Sequence, residues 1–158
     1  KMANNPLVIA IGEAGFDKLK GPSFELQRKV FRMQVELSES LKKPLIIHCV
    51  RAWEELLSVH KEMRPEMPWM IHGFRGKIKL AEQLLSKGFY LSLWFEFVLR
   101  PESSDLIRAL PQNRIFLETD GADVDIRDIY LKVSDDINLP LIDLKKTIYS
   151  NFIDFFSI

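Results

Sequence analysis

The segment Pro44-Leu45-Ile46-Ile47-His48-Cys49 decides how the rest of the chain is interpreted. A proline opens a short run of bulky apolar residues, and a residue that can bind a metal ion follows the run. Runs of this kind, bounded by chain breakers, are typical of buried β-strands. Similar apolar runs recur along the sequence, which therefore predicts five short strands at residues 8–11, 45–47, 69–71, 89–93 and 115–117.

Apolar residues at helical spacing occupy the intervals between these strands. Ser23 is a favourable N-cap for a first helix that runs to about residue 42. The residues predicted to form its buried face are Leu26, Val30, Phe31, Leu37 and Leu41. Further helices are predicted at about 52–63, 78–86, 104–110, 126–133 and 140–156. Strands that alternate with helices form βαβ units, so we expect an α/β fold with parallel strands.

Four of the five predicted strands are followed by a residue that can bind a metal ion: Glu13, His48, His72 and Asp120. In a parallel barrel the carboxyl ends of the strands converge on one face, where TIM-barrel active sites lie. Two imidazoles and two carboxylates suit Zn²⁺ or Mn²⁺ better than Mg²⁺. Taken singly, a histidine at the end of a strand is more often a structural residue than a ligand, a Glu after Gly is usually a loop residue, and Asp120 could be a turn cap. Four at equivalent positions indicate a divalent-metal site.

Composition limits the class of protein. The chain has 158 residues, the size of one domain, with 22 basic and 22 acidic residues and a formal net charge of zero. This balance argues against a surface that holds nucleic acid by charge alone. Cys49 is the single cysteine, so no intramolecular disulfide forms and a cytoplasmic location is predicted. No apolar run reaches the length of a membrane span, and no membrane association is expected.

The motifs resemble, in order, those of the TatD family of metal-dependent deoxyribonucleases. Residues 11–17, Ile-Gly-Glu-Ala-Gly-Phe-Asp, are similar to the family signature Ile-Gly-Glu-x-Gly-Leu-Asp. Residues 44–48 resemble the Pro-x-x-Ile-His strand of the family, and Gln27 matches its glutamine-rich helix. The other similar segments are 71–76, 88–92, 116–120 and 149–152. The resemblance extends over nearly the whole chain.

The resemblance implies a TIM-barrel-type (β/α)₈ fold related to the amidohydrolases. It implies hydrolysis of phosphodiester bonds in DNA with one to three divalent ions, Zn, Mn or Mg. On this basis Glu13 bridges two ions, His48 and His72 hold one ion, and Asp120 ligates or orients the attacking water.

Departures from the family pattern qualify this expectation. The His-x-His motif of the first family strand does not occur in this sequence, and the five predicted strands match the last five of the barrel. We therefore expect a single domain, 1–158, that lacks the first strands of the barrel. The sequence alone does not establish whether this domain is catalytically active. Uncovered sheet edges are expected to favour self-association. Beside the site, Lys18 replaces a tyrosine, and Arg51 is shifted by one position.

Several nearby residues allow two interpretations. Arg51 and Arg75 closely follow the two predicted histidine ligands, and a guanidinium there suits a substrate phosphate as well as it suits a pair with a nearby carboxylate. Glu118 precedes Asp120 by two positions, so it either supports the site or pairs with a neighbouring helix. His60 is predicted to lie on the surface.

Two alternatives to a deoxyribonuclease remain at this point. One is an amidohydrolase-like enzyme that acts on a small amide or ester in a closed pocket. The other is a degenerate barrel fragment without catalytic activity, since part of the metal site of the family is not in this sequence.

Overall fold

The structure, a computed structural model, describes residues 2–157. Within this range five β-strands alternate with seven α-helices and short 3₁₀ turns. The strands are β1 Ile11–Asp17, β2 Leu45–Val50, β3 Trp69–Phe74, β4 Tyr90–Leu93 and β5 Ile115–Leu117. The helices are α1 Phe24–Leu41, α2 Trp53–Met63, α3 Ile78–Leu85, α4 Phe95–Val98, α5 Ser104–Ala109, α6 Ile126–Asp136 and α7 Leu141–Phe156.

The strands form one sheet in the order β1-β2-β3-β4-β5. The pairs β1–β2, β2–β3 and β4–β5 are parallel, and Leu45 lies opposite Trp69 where β2 meets β3. The predicted α/β class with parallel strands is confirmed. None of the helices in residues 2–157 is long and apolar enough to cross a lipid bilayer.

Contacts along the backbone group the chain into two compact units, residues 1–71 and 72–158. The boundary falls between two consecutive residues of β3, Ile71 and His72. The expectation of one N-terminally incomplete domain, 1–158, stays a prediction.

The first unit has an aromatic core. The Phe31 ring lies between Phe16 and Trp69, with ring centroids 5.0 and 5.4 Å away. All three side chains are almost fully buried. His60 of α2 is half-buried and packs edge-on against Trp69 at 4.9 Å, so the prediction of a surface position for His60 was wrong. Aromatic pairs favour this T-shaped geometry.

The second unit is built around Phe155 of α7. Its ring contacts Tyr90 of β4 at 5.1 Å and Phe116 of β5 at 5.8 Å. Asn151, one turn earlier on α7, is 2% exposed and donates hydrogen bonds to the carbonyls of Gln112 and Ile115, each at 2.8 Å. A buried amide of this kind stabilises the structure only because both donors are satisfied. The helix α7 therefore fixes the start of β5.

Two predicted details of the elements differ from the structure. The first strand spans Ile11–Asp17 instead of 8–11, because its glycines allow the extended chain to continue where they were expected to end it. By contrast, the helix α1 begins where it was predicted to begin, directly after the cap Ser23, whose hydroxyl accepts the Leu26 N–H. The helix α4 was not predicted, because its single turn is too short to show a helical period.

The buried face of α1 also differs from the prediction. Of the five residues expected there, only Phe31 is fully buried, whereas Leu26, Val30 and Leu37 are 46, 43 and 38% exposed. The buried stripe consists of Phe31, Val35 and Ser38, spaced by four and three residues as one helical face requires.

Candidate metal centre

Three of the four predicted metal ligands lie on neighbouring strands. Glu13 is on β1, His48 on β2 and His72 on β3. One potential ligand atom from each of these residues lies within 4.8 Å of the other two. All three residues lie inside their strands, whereas the sequence placed them just after the strands end.

Glycines determine how β1 lies against β2. The register of the two strands shifts between Ile11 and Ala14, and Glu13 lies in this irregular part. Gly15 is opposite His48, with φ at +149°, and a Cβ at Gly15 would be 2.0 Å from the His48 carbonyl oxygen. Only glycine permits an approach this close. Because residue 15 is a glycine, the backbone of β1 beside Glu13 can pack closely against the backbone of β2 at His48.

His48 has a carboxylate partner within the first unit. Its Nε2 lies 3.3 Å from Oδ2 of Asp17, the last residue of β1. The His48 side chain is 40% exposed and that of Asp17 is 19% exposed. The other carboxylate oxygen, Oδ1, accepts the backbone N–H groups of Leu19 and Lys20 at 2.7 and 3.0 Å. Asp17 therefore joins the imidazole to the turn that follows β1.

Hydrogen bonds lower the pKa of the Asp17 carboxyl below its ordinary value. The backbone N–H of Leu19 is the largest cause, and His48 and Lys20 add to it, while partial burial acts in the opposite direction. The carboxylate form, which accepts all of these bonds, is therefore favoured.

Gln27 of α1 clamps the backbone of Asp17. Its Oε1 accepts the Asp17 N–H at 2.8 Å, and its Nε2 donates to the Asp17 carbonyl at 2.9 Å. A further bond from Nε2 reaches the Pro22 carbonyl at 3.0 Å. One amide side chain thus satisfies backbone groups on both sides of the turn that follows β1.

His72 has a separate carboxylate partner within the second unit. Its Nδ1 lies 3.3 Å from Oε1 of Glu118, and the two side chains are only 14 and 17% exposed. The same oxygen accepts the backbone N–H of Gly73 at 2.9 Å. The hydroxyl of Ser92 on β4 donates a short hydrogen bond to the other oxygen, Oε2. Glu118 therefore supports the histidine, and this contact favours the first of the two roles that the sequence left open.

The three clustered residues fit a divalent metal ion. Two imidazoles and one carboxylate are a donor set that Zn²⁺ and Mn²⁺ accept. Each histidine also contacts a carboxylate, Asp17 for His48 and Glu118 for His72. Metal-binding histidines almost always have such a partner on the second ring nitrogen. Glu13, His48 and His72 would hold the ion.

Among the described residues, the group of possible metal ligands does not include Asp120. Asp120 occupies the exposed turn after β5 with φ at +48°, and Arg51 occupies an exposed bend after β2 with φ at +54°. The predicted ligand and catalytic role of Asp120 and the predicted substrate contact of Arg51 stay predictions.

Arg75 lies beside an aromatic ring within the second unit. Its guanidinium carbon is 4.9 Å from the centre of the Trp94 ring, at cation–π distance. Both residues line an open groove of about 470 Å³ with Glu96, Phe97 and Arg100. Arg100 forms an ion pair with Glu96 at 3.6 Å. Stacking on Trp94 restricts the guanidinium of Arg75 at the wall of this groove.

Cys49 shows no sign of reactivity despite its position next to His48. Burial is the main cause that raises the pKa of the Cys49 thiol to about 12. A thiol in this state carries almost no thiolate at neutral pH, as expected for an inert cysteine.

The sequence did not reveal the contacts of Asp17, Ser92 and Gln27. Asp17 accepts hydrogen bonds from the turn that follows β1, but its contact with His48 joins residues 31 positions apart. Ser92 reads as an ordinary strand residue, although its hydroxyl meets a carboxylate 26 positions later. A polar residue inside an apolar strand was the only available signal for Ser92.

Solved structures with the same fold include TatD proteins. The YJJV TatD homologue of Escherichia coli K12 superposes with a TM-score of 0.84 at 23% identity, over 97% of this chain and 65% of that chain. A TatD family hydrolase from Entamoeba histolytica gives 0.83 at 21% identity, over 94 and 63%. The predicted TIM-barrel-type fold class is confirmed, and the chain spans less than two thirds of these proteins.

The family is shown by the sequence. The family model described as TatD related DNase matches residues 1–157, and the chain belongs to this family. The human 3'-5' RNA nuclease TATDN2 is 39% identical over 125 residues, which are 74% of this chain and 16% of that protein. The 3'-5' ssDNA/RNA exonuclease TatD of Erwinia tasmaniensis is 31% identical over 126 residues, or 77 and 49%. The chain thus spans less than half the length of these relatives.

Proposed function

We propose that this chain carries part of the catalytic centre of a metal-dependent hydrolase that cleaves phosphodiester bonds in DNA. The observation that carries the proposal is the grouping of Glu13, His48 and His72, with ligand atoms within 4.8 Å of one another. Family membership supports it, because relatives are described as metal-dependent hydrolases and as nucleases. A bound divalent ion supplies Lewis acidity towards phosphate and lowers the pKa of water.

Each side chain of the proposed centre would have its own role in metal binding or catalysis. Glu13 contributes a negative carboxylate, and the two histidines contribute neutral nitrogen donors, so the three together retain a cation without neutralising it. Zn²⁺ and Mn²⁺ suit this set better than Mg²⁺. Asp120, on its exposed turn, is proposed to orient or deprotonate the attacking water.

Arg75 is proposed to bind a phosphate of the substrate. Its guanidinium stacks on Trp94, and Arg75 lines the groove together with a second arginine, Arg100. Guanidinium groups bind phosphate oxygens bidentately, and an oriented one loses less entropy when it does so. An open groove also suits a polymer better than it suits a small amide or ester.

The direct test is hydrolysis of a fluorescently labelled single-stranded DNA by purified protein with Zn²⁺, Mn²⁺ or Mg²⁺. We expect metal-dependent shortening of the strand that His72→Ala abolishes and that Glu82→Gln, on the exposed face of α3, leaves unchanged. Arg75→Ala should raise KM more than it lowers kcat. Relatives act on RNA as well, so the same assay includes an RNA strand of matching sequence.

Two results would contradict the proposal. Equal cleavage by the parent protein and His72→Ala would indicate a contaminating nuclease. Tight metal binding without cleavage of either strand would favour a degenerate barrel that keeps part of the metal site and has lost the reaction.

Two further expectations are carried forward as proposals. Within residues 2–157 the strands at the two ends of the sheet order are β1 and β5, and we propose that an unpaired edge favours self-association. Light scattering on the purified chain would detect a dimer. A cytoplasmic location is proposed from the single cysteine, and imaging of the tagged native protein would test it.

A further inference from the structure

Trp94 follows the strand β4 and lines the open groove of the second unit. The four residues of β4 are all buried, whereas the side chain of Trp94 is only partly buried. Its backbone N–H donates to the carbonyl of Phe74, the last residue of β3, at 3.0 Å. The backbone of Trp94 is therefore joined to two strands, while its indole ring remains accessible from the groove.

Three neighbours restrict the position of the Trp94 ring. A Cβ at Gly73 would lie 3.5 Å from Cε3 of Trp94. The Phe95 ring centroid and the Arg75 guanidinium carbon each lie 4.9 Å from the Trp94 ring. A binding surface whose side chains are already restricted loses little conformational entropy when a ligand contacts it. The ring also lies close to the candidate metal centre, because Gly73 directly follows His72 along β3.

The two arginines of the groove differ in how their charges are compensated. Arg100 forms an ion pair with Glu96 at 3.6 Å. Among the described residues, Arg75 has the Trp94 ring and no carboxylate as its partner, so its charge is available to a phosphate. One such guanidinium holds a polyanion weakly on a chain whose formal net charge is zero. Tight binding of a nucleic acid strand in this groove therefore needs a contribution besides charge.

We propose that Trp94 is a substrate-binding residue that, together with the Arg75 guanidinium, stacks an unpaired base of a nucleic acid strand. This inference rests on the proposed function and deepens it, because it names what the groove recognises besides phosphate. Bases stack on aromatic rings and on guanidinium planes, and every base offers such a face. The contact therefore requires a base but tolerates any of the four.

Stacking and phosphate binding make different demands on the ligand. An abasic strand retains every phosphate of an oligonucleotide but has no base to stack. A duplex has both groups, but its bases are already paired and stacked on one another. An unpaired strand should therefore bind more tightly than an abasic strand or a duplex, and the difference should depend on Trp94.

The first experiment measures binding to the metal-free protein, so that no strand is cleaved. Fluorescence anisotropy compares a labelled oligothymidylate with an abasic strand that has the same number of phosphates. We expect the parent protein to bind the oligothymidylate about 10-fold more tightly, the usual size of one contact between a base and an aromatic ring. Trp94→Leu should lose this preference with little change in affinity for the abasic strand, and Trp94→Phe should retain part of it.

The matched control is Tyr149→Leu. Tyr149 is 65% exposed on α7 of the same unit, so this variant also removes an accessible aromatic ring, but from outside the groove. It should bind both strands like the parent protein.

The second experiment separates the ring from the charge through salt dependence. The logarithm of the binding constant falls linearly with the logarithm of the salt concentration, and the slope reports how many phosphates the protein neutralises. Arg75→Ala should make this slope shallower by about 1, since it removes one phosphate contact. Trp94→Leu should weaken binding of the oligothymidylate and leave the slope of the parent protein.

The outcomes separate this inference from the proposed reaction. A base preference that Trp94→Leu abolishes, without cleavage under any metal, would support the base contact and reject the nuclease. Metal-dependent cleavage with equal affinity for the two strands would support the nuclease and overturn the base contact. An equal loss of affinity for both strands in Trp94→Leu, or a loss of preference in Tyr149→Leu, would also overturn it. If Trp94→Leu does not fold, the comparison of the two strands in the parent protein and in Trp94→Phe decides.

Discussion

The two histidines of the candidate centre are supported in opposite ways. His48 meets its carboxylate, Asp17, through Nε2 and is 40% exposed, whereas His72 meets Glu118 through Nδ1 and is 14% exposed. Asp17 is held by backbone N–H groups of a turn, and Glu118 is held by a strand hydroxyl and one N–H. Two histidines on adjacent parallel strands thus meet their carboxylates through different ring nitrogens, one carboxylate at the end of β1 and the other directly after β5.

The largest effect expected on metal binding comes from the more buried histidine. His72→Ala should weaken zinc binding by more than about 100-fold, beyond the range for loss of a supporting carboxylate. His48→Ala should lose somewhat less, because its more exposed position lets water replace it. Zinc content per chain and chelator competition measure both. Equal and unchanged affinities would remove both histidines from the centre.

Two glycine substitutions, one beside each histidine, test how tightly the backbone is packed at the site. Gly15→Ala should lower the free energy of unfolding by about 3 kcal/mol or more, because its Cβ would lie 2.0 Å from a backbone oxygen. Gly73→Ala should cost about 1–2 kcal/mol for its left-handed φ alone, since its nearest neighbour is 3.5 Å away.

Urea unfolding of the metal-free proteins measures this difference. Similar losses for the two glycine variants would show that the first unit relaxes around position 15. His48 would then depend less on the approach of β1 than the geometry indicates.

Asp17→Asn should weaken zinc binding by about 10-fold, the lower end of the range for a supporting carboxylate. Asparagine retains an acceptor for the Leu19 and Lys20 N–H groups, so the turn persists while the negative charge beside His48 is lost. Glu54→Gln, an exposed carboxylate of α2, is the control. If Asp17→Asn loses more zinc affinity than Glu118→Ala, then Asp17 supports its histidine more strongly than Glu118 does.

The smallest expected effect belongs to Gln27. Gln27→Ala removes the hydrogen bonds that hold the turn after β1 and should destabilise the protein by about 1 kcal/mol, since the turn is partly exposed. Thermal and urea unfolding measure the change. No change in stability would contradict the role of Gln27 in holding this turn. A change in the NMR signals of His72 would contradict the expectation that Gln27 acts on His48 alone.

The sequence predicted the strands that carry the candidate site but not the hydrogen bonds within it. Apolar runs before His48 and His72 located β2 and β3, because burial on both faces leaves a continuous hydrophobic segment. The extent of β1 was misjudged, because the same glycines mark turns and close backbone approaches.

The hydrophobic pattern of the sequence did not predict which side chains contact one another. The contact of Glu118 with Gly73 spans 45 positions, and that of Ser92 with Glu118 spans 26. Periodicity reports which face a residue occupies, but not which atom it meets across a sheet. Glu118 was therefore assigned two possible roles, and only the distance to His72 separates them.

The bonds from Asn151 to the carbonyls of Gln112 and Ile115 have a consequence for synthesis on the ribosome. Until α7 has emerged, those two carbonyls and the apolar faces of Tyr90 and Phe116 lack their helical cover. The strand that leads into Glu118 then lacks these contacts. The contacts that hold the strand before Glu118 are therefore completed only after α7 has been made, later than both histidines of the candidate centre.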